Sequence, residues 1–192
     1  MLSSINGTET EKNLSKSFVC ESQARMRYSY FASRAKIDGF GQISMIFTDI
    51  ENNEKEHAKR FLHFLNGGLL EISIIFDTNT VKSTIDNLKF AIAGENKEYT
   101  DVYPNAANTA DSEGFHEIAE CFRSIAIAEK YHEIKFLKLL NDIENDRIFK
   151  KDVAVKWRCS NCGYVYESKE AYDKCPACLH PMLYMEECNM KI

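Results

Sequence analysis

The stretch AEKYHEIKF, residues 128–136, decides the fold because it places a carboxylate and an imidazole where a helix should be apolar. Around it, apolar residues recur in steps of three and four, the spacing of one face of an α-helix. That face comprises Ile118, Phe122, Ile125, Glu129, His132, Phe136 and Leu139. Glu129 and His132 are therefore predicted to point into a core formed between helices.

An earlier stretch repeats this pattern in the same phase. Its face comprises Ile43, Phe47, Ile50, Glu54, His57, Phe61 and Phe64. Residues three apart share a helix face, so one glutamate can bridge two cations while the histidine binds one of them. A single Glu-x-x-His is equally typical of a solvated face. Two copies in register with apolar residues instead predict a buried site.

Two further helices contribute glutamates, Glu21 in the first and Glu95 with Glu98 in the third. Their predicted inner faces comprise Leu14, Phe18, Glu21, Arg25, Tyr28 and Ala32, and Val81, Ile85, Leu88, Ile92, Glu95, Tyr99 and Val102. Buried carboxylates that face one another destabilise a fold or become protonated unless cations neutralise them. Oxygen and imidazole ligands suit iron or manganese, so the sequence predicts a site of this kind.

The boundaries of the helices follow from glycines and from the scarcity of proline in the first 150 residues. We predict helices over about residues 10–37, 42–66, 81–108 and 112–146. Between the second and third lies LLEISIIFDTNT, residues 69–80, which is predicted to be an extended crossover. One long crossover is typical of the ferritin-like four-helix bundle. Residues 1–150 are therefore predicted to form this mainly α domain, and residues 151–192 a small β domain.

Four of the seven cysteines form two Cys-x-x-Cys pairs, Cys159 with Cys162 and Cys175 with Cys178. This spacing predicts a tetrahedral four-thiolate metal site, which either zinc or iron could fill. The tail has too few apolar residues to fold without a metal. The segments CSNCGYVY and CPACLHP resemble rubredoxin, which favours a single iron that carries one electron. Cys20, Cys121 and Cys188 are predicted to be free thiols.

Charge and hydropathy narrow the range of partners. The net charge is −5 and no Lys/Arg cluster occurs, which argues against nucleic acid as a partner. The first residues lack the apolar stretch of a signal peptide, and no run approaches the roughly 18 apolar residues that a membrane span requires. We therefore expect a cytoplasmic protein without a membrane partner.

Five segments together carry a family resemblance: ESQARMRYSYF, EKEHAKRF, AGENKEYTDVYP, SIAIAEKYHE and WRCSNCGYVYE. With them the chain closely resembles rubrerythrin over nearly its whole length. The resemblance implies a non-haem di-iron peroxidase that reduces hydrogen peroxide to water in oxidative stress defence, in anaerobic or microaerophilic cells. It implies that two irons are held by Glu21, Glu54, His57, Glu95, Glu98, Glu129 and His132, and one iron by Cys159, Cys162, Cys175 and Cys178.

The same resemblance implies that His57 and Glu98 exchange on one iron as it oxidises. Five carboxylates carry more charge than two ferrous ions and less than two ferric ions, so oxidation favours gaining an anionic ligand. Tyr28 and Tyr103 resemble family tyrosines near the site, where they could hydrogen-bond the carboxylates or simply pack.

The implied electron donor is an NAD(P)H-dependent reductase, a rubredoxin or both. A helix that continued from His132 to about residue 150 would extend roughly 27 Å at 1.5 Å per residue. Because this distance is too long for transfer within one chain, we expect, as the resemblance also implies, a head-to-tail homodimer in which each tail serves the partner's di-iron site.

Two other functions remain open from the residues alone. A ferroxidase or iron-handling protein would use the same carboxylates, but it needs no dedicated electron relay, so the cysteine tail counts against it. A non-enzymatic module with zinc in the tail is the third possibility. The sequence names neither the electron donor nor the metals bound.

Overall fold

The computed structural model describes residues 4–188, and it consists of a helical bundle followed by a small sheet. The ends of the two predicted domains, residues 1–3 and 189–192, lie outside the described residues. The helices are α1 (Glu9–Ile37), α2 (Gly41–His63), α3 (Thr84–Lys97), a π-helical turn (Glu98–Val102), α4 (Tyr103–Ser112) and α5 (His116–Glu144). The strands are β1 (Lys150–Cys159), β2 (Val165–Glu170) and β3 (Met185–Glu187).

The helix boundaries differ from the predicted ones at the end of the second helix, at both ends of the third and at the start of the last. The second helix ends at His63, and residues 64–83 form the crossover without helix or strand, as predicted for residues 69–80. The last helix begins at His116 because Gly114, with φ 86°, turns the chain before it. The third helix is interrupted by the π turn, which the sequence pattern did not predict.

The bundle consists of two helical hairpins with matching turns. The first hairpin is α1 with α2, and the second is α3 and α4 with α5. Phe40 N–H donates to the Ala35 carbonyl at 2.8 Å in the first turn, and Phe115 N–H donates to the Ala110 carbonyl at 2.7 Å in the second. Each turn also caps the other hairpin. The Asp38 carboxylate accepts from Thr84 N–H at the start of α3, at 3.0 Å.

The reciprocal cap is made by Glu113, whose carboxylate accepts from Thr10 N–H at the start of α1, at 2.9 Å. A carboxylate at a helix N-terminus satisfies unpaired N–H groups and interacts favourably with the helix dipole. Asp38 at the end of α1 thus lies beside the start of α3, and Glu113 at the end of α4 lies beside the start of α1. For this reason α1 runs antiparallel to α3 and α4. The second helix is then parallel to α3, as a long crossover requires.

Apolar clusters lie on either side of the polar mid-section of the bundle. One contains Phe31, Phe47 and Phe136, and the other contains Phe61 and Phe122. The predicted inner face of α5 is buried throughout, and that of α2 is buried except at His57 and Phe64, which are half-buried.

The predicted inner faces of the other two helices were partly wrong. Arg25 is exposed, and Ile85 and Val102 lie at the surface. The buried side of α3 includes Leu88, Ala91 and Glu95, whereas after the π turn the buried residues are Tyr103, Ala106, Ala107 and Ala110. The π turn adds one residue and thereby rotates the inner face, so a uniform helical period cannot describe it.

The tail forms an antiparallel sheet in the order β2-β1-β3, with Trp157 fully buried in its small core. It packs against the start of α2, where Gly41 faces the Leu183 carbonyl and the Phe40 ring stacks on Phe149 at 6.5 Å. The last helix ends at Glu144 and does not continue to residue 150. The helical rise beyond His132 is therefore about 18 Å instead of the predicted 27 Å.

Among residues 4–188, no helix combines the length and the apolar composition needed to cross a membrane.

Candidate metal centres

The four long helices bring six of the predicted ligands into one buried cluster. The ligand atoms of Glu21, Glu54, His57 and Glu129 lie within 4.8 Å of one another, and so do those of Glu54, Glu95, Glu129 and His132. Glu54 and Glu129 belong to both groups. The geometry therefore offers two adjacent four-residue positions that share two bridging carboxylates.

Several polar atoms of this cluster are buried without a hydrogen-bond partner. The side chains of Glu21 and Glu129 are 0% exposed and that of Glu54 is 1% exposed. The unpartnered atoms are Glu21 Oε2, Glu54 Oε1, Glu95 Oε2, both carboxylate oxygens of Glu129, and His132 Nδ1. Unsatisfied buried groups are rare because each costs the full desolvation penalty. Carboxylate and imidazole donors that converge in this way fit a pair of iron or manganese ions.

Two tyrosines hold the outer carboxylates in place. Tyr28 of α1 donates its hydroxyl to Glu95 of α3, and Tyr103 of α4 donates its hydroxyl to Glu21 of α1. Both rings are buried, with 4% and 1% of their surface exposed. Each tyrosine thus belongs to one hairpin and fixes the orientation of a carboxylate that belongs to the other.

His57 and Glu98 occupy different places relative to the cluster. His57 Nδ1 lies 2.9 Å from Glu129 Oε1 and 3.2 Å from Glu54 Oε2. Glu98 belongs to neither four-residue group, and it lines a cavity beside them. The side chain of His57 is 15% exposed, compared with 5% for His132. The histidine closer to solvent is therefore the one that the family resemblance pairs with Glu98.

Protons can neutralise this cluster when no metal is bound. Burial raises the pKa of Glu21 and of Glu98 well above the ordinary value, and it raises that of Glu95 to about 8. Burial opposes the charged form of both histidines, but Glu129 and Glu54 raise the pKa of His57 to about 9 and that of His132 to about 12. Metal binding must displace these protons.

Glu54 is the exception among the carboxylates. Burial would raise its pKa, yet the imidazoles of His132 and His57, each with Nδ1 3.2 Å from a Glu54 oxygen, outweigh that effect and lower the pKa to about 2. One of the two bridging positions is therefore ionised in advance of metal binding.

The four cysteines of the tail also converge. Their sulfur atoms lie within 4.8 Å of one another, with Cys159 Sγ 3.7 Å from Cys178 Sγ and Cys162 Sγ 3.6 Å from Cys175 Sγ. The backbone N–H of His180 lowers the pKa of Cys178 to about 6, which favours the thiolate that a metal requires. Cys159 and Cys175 are buried and Cys162 is exposed, so one edge of this centre faces solvent.

The two Cys-x-x-Cys turns differ in one residue that the sequence pattern did not single out. After Cys162, Gly163 adopts φ 78°, and after Cys178 the equivalent position is Leu179 with φ 62°. A left-handed backbone is unfavourable for a bulky residue. The sequence signal for this difference was the leucine that follows the second Cys-x-x-Cys pair where glycine follows the first.

Two family models match the chain in order along it. A model described as rubrerythrin matches residues 12–140, and one described as the rubredoxin-like domain of rubrerythrin matches residues 157–186. The chain is 50% identical to a rubrerythrin of Porphyromonas gingivalis over 186 residues, which is 97% of this chain and 93% of that protein. It is 49% identical to a rubrerythrin of Nitratidesulfovibrio vulgaris over 185 residues, 96% of this chain and 97% of that protein.

A solved structure of nigerythrin in its fully reduced, all-ferrous state resembles this one, with a TM-score of 0.65 and 26% identity. The similarity covers 97% of this chain and 89% of that chain. It extends over both the helical bundle and the cysteine tail. Since both family models match and the relatives are about half identical over nearly the full length, the chain belongs to the rubrerythrin family, with a ferritin-like di-iron domain followed by a rubredoxin-like domain.

Proposed function

We propose that this iron-dependent oxidoreductase is a peroxidase that reduces hydrogen peroxide to water with electrons relayed through its cysteine tail. The observation that carries the proposal is the presence, in one chain, of a buried carboxylate and histidine cluster and a four-thiolate centre. A di-iron pair would supply two electrons to break the O–O bond, and an iron held by the cysteines would supply their replacements one at a time.

The protein's own residues would hold the reacting groups and move protons. The ligands in this proposal are Glu21, Glu54, His57, Glu95, Glu98, Glu129 and His132, with Cys159, Cys162, Cys175 and Cys178 in the tail. Tyr28 and Tyr103, through their hydrogen bonds to Glu95 and Glu21, would keep two carboxylates in a fixed orientation. Their phenol groups could also exchange protons with these carboxylates.

Glu98 is the residue that favours a peroxidase over a plain oxidase. It lies outside the two groups of converging ligand atoms but beside them, whereas His57 lies within one group. Glu98 would be the anionic ligand that takes the place of His57 when the bound irons are oxidised, and His57 would be the ligand again after they are reduced.

The electron supply is proposed to involve two chains. Within one chain, the tail contacts the start of α2, and Gly41 is thirteen residues from Glu54. That separation corresponds to about 20 Å along the helix. A head-to-tail homodimer would bring one tail to its partner's cluster, and an NAD(P)H-dependent reductase, a rubredoxin or both would reduce the tail.

We also propose that the protein is cytoplasmic and that its two domains divide near residue 150.

The test is a single-turnover reaction under anaerobic conditions. Full-length protein with its metals assayed is reduced, mixed with one equivalent of hydrogen peroxide, and followed by visible absorption. We expect reoxidation within the mixing time and much slower reoxidation by an equal amount of dioxygen. A reduced protein that stays reduced in peroxide contradicts the proposal. Rapid oxidation by dioxygen with accumulation of iron mineral would instead support the ferroxidase.

A further inference from the structure

Two cavities in the groove between α1 and α3 lead to the region beside the carboxylate cluster. One has a volume of about 500 Å³ and includes Tyr28 in its wall, and the other has a volume of about 210 Å³ and includes Tyr103. Four residues line both cavities: Cys20, Gly94, Lys97 and Glu98. We name these two cavities together the α1–α3 groove. Each cavity thus reaches one of the tyrosines that hydrogen-bond the cluster.

Gly94 in this groove has no local reason to be glycine. It lies inside α3, where glycine is less favourable than alanine because it loses more backbone entropy. A Cβ atom at this position would meet no atom within 4 Å, so neighbouring groups do not exclude a side chain. At Gly41, by contrast, a Cβ atom would lie 1.8 Å from the Leu183 carbonyl oxygen. The space that Gly94 leaves open belongs to the groove.

We infer that the α1–α3 groove is the route by which peroxide reaches the cluster, and that Gly94 keeps this route open. The inference rests on the proposed peroxidase function. Glu98, the movable carboxylate, faces the same groove, so the incoming molecule and the residue that exchanges with His57 meet on one side of the site. A small polar oxidant such as hydrogen peroxide fits a passage of this size.

A direct test narrows the groove by substitution at Gly94. The series Gly94→Ala, Gly94→Leu and Gly94→Phe adds increasing volume to a position with open space. Ser33→Phe is the matched control, because Ser33 is exposed on α1 and lines neither cavity. All variants are made in one parent protein, which is full-length and metal-loaded. The parent carries Cys121→Ser and Cys188→Ser so that Cys20 is the free thiol outside the four-cysteine centre.

Two rates are measured in each variant. The first is the bimolecular rate of reoxidation by hydrogen peroxide, and the second is the rate at which iodoacetamide alkylates Cys20. We expect both to fall progressively, by about tenfold in Gly94→Phe, which corresponds to one 1.4 kcal/mol step in the barrier. Metal content and the visible spectrum should match those of the parent, and Ser33→Phe should retain both parental rates.

A reversible chemical block addresses the case in which Gly94→Phe fails to fold. Treating the folded parent with 2,2′-dithiodipyridine attaches a thiopyridyl group to Cys20, with release of pyridinethione, and dithiothreitol removes it. Peroxide reoxidation should slow on attachment and recover on removal, at constant metal content.

The outcomes separate the route from the function. If the parent reacts rapidly with peroxide, and a folded Gly94→Phe variant or the blocked parent reacts just as fast, then the route is wrong and the peroxidase stands. If the parent does not react rapidly, the peroxidase proposal is wrong and peroxide entry is withdrawn with it. A loss of rate for tert-butyl hydroperoxide that exceeds the loss for hydrogen peroxide would further support passage through a narrowed groove.

Discussion

Glu54 and Glu98 are chemically identical side chains that lie in different surroundings. Glu54 is almost fully buried, belongs to both converging groups and is kept ionised by two histidines. Glu98 lies beside the groups, at the wall of the α1–α3 groove. Removing the charge from each should therefore affect different measurements.

We expect Glu54→Gln to lose most of the metal bound by the bundle, because one shared carboxylate serves both positions. Glu98→Gln should retain the full metal content but react with peroxide about tenfold to a hundredfold more slowly, as supporting residues of metal sites do. Metal analysis and stopped-flow absorption distinguish the two. Equal metal loss in both variants would show that Glu98 is needed for binding itself.

A second prediction at this scale concerns pH. In metal-free protein, the pKa of Glu95 is about 8 and that of His57 about 9, both above their ordinary values, so the folded state keeps protons that the unfolded chain releases. The free energy of unfolding should therefore fall as pH rises from about 7 to 9, by about 1.4 kcal/mol per pH unit for each proton retained.

The measurement is urea unfolding of chelator-treated protein, followed by the helical circular dichroism signal across this pH range. Glu54, with a pKa of about 2, stays ionised in this range and contributes no slope. Metal-loaded protein serves as the comparison, because its ligands have already lost these protons. A metal-free protein that becomes more stable from pH 7 to 9 would contradict the prediction.

At the scale of helices, the two hairpins are tied together by their reciprocal caps. Asp38 binds the start of α3 and Glu113 binds the start of α1, each through a backbone N–H and a threonine hydroxyl. These contacts join residues far apart in sequence, so they stabilise the tertiary arrangement as well as one helix end.

Replacing either cap with alanine should lower the free energy of unfolding by about 1 to 2 kcal/mol, the range for lost helix caps. Chemical denaturation of Asp38→Ala and Glu113→Ala measures this effect. Asp49→Ala is the control, since it removes a carboxylate from an exposed ion pair with Lys135 and should change stability by about 0.5 kcal/mol or less. Losses no larger than in the control would mean that the caps contribute little.

The sequence pattern was informative for α2 and α5 because an uninterrupted α-helix has one period. Glu54 with His57 and Glu129 with His132 therefore came out on the inner faces that the structure shows. The pattern failed in the third helix because the π turn changes that period. A signal for it was present: seven positions separate Glu21 from Tyr28, but eight separate Glu95 from Tyr103.

At the scale of the whole molecule, the place of the tail depends on a close approach that no periodicity reveals. The Leu183 carbonyl occupies the space where a side chain on Gly41 would lie, and the Phe40 and Phe149 rings stack beside it. Spacing alone predicted that the cysteines converge. It could not predict where the resulting domain rests on the bundle.

Gly41→Ala should therefore displace the tail from the bundle while leaving both metal centres filled. We expect faster proteolysis in residues 145–149, which connect the last helix to the sheet, and slower reduction of the di-iron site by the tail. Gly94→Ala is the matched control, because its added methyl group meets open space and should stabilise the helix by about 1 kcal/mol. Unchanged proteolysis in Gly41→Ala would show that the contact does not hold the tail.

The extra residue in the π turn has an evolutionary consequence. The Glu-x-x-His motif recurs after 75 residues, and Tyr103 likewise follows Tyr28 by 75 residues. Equal spacings of this kind are expected if the gene for one hairpin was duplicated. One codon inserted in the second copy would create the π turn that begins at Glu98, whereas the equivalent turn of α1 carries Gln23 and Ala24. Such an insertion would make an otherwise two-fold arrangement asymmetric. If Glu98 is a ligand as proposed, the two metal positions are inequivalent because the first hairpin has no carboxylate at the equivalent place.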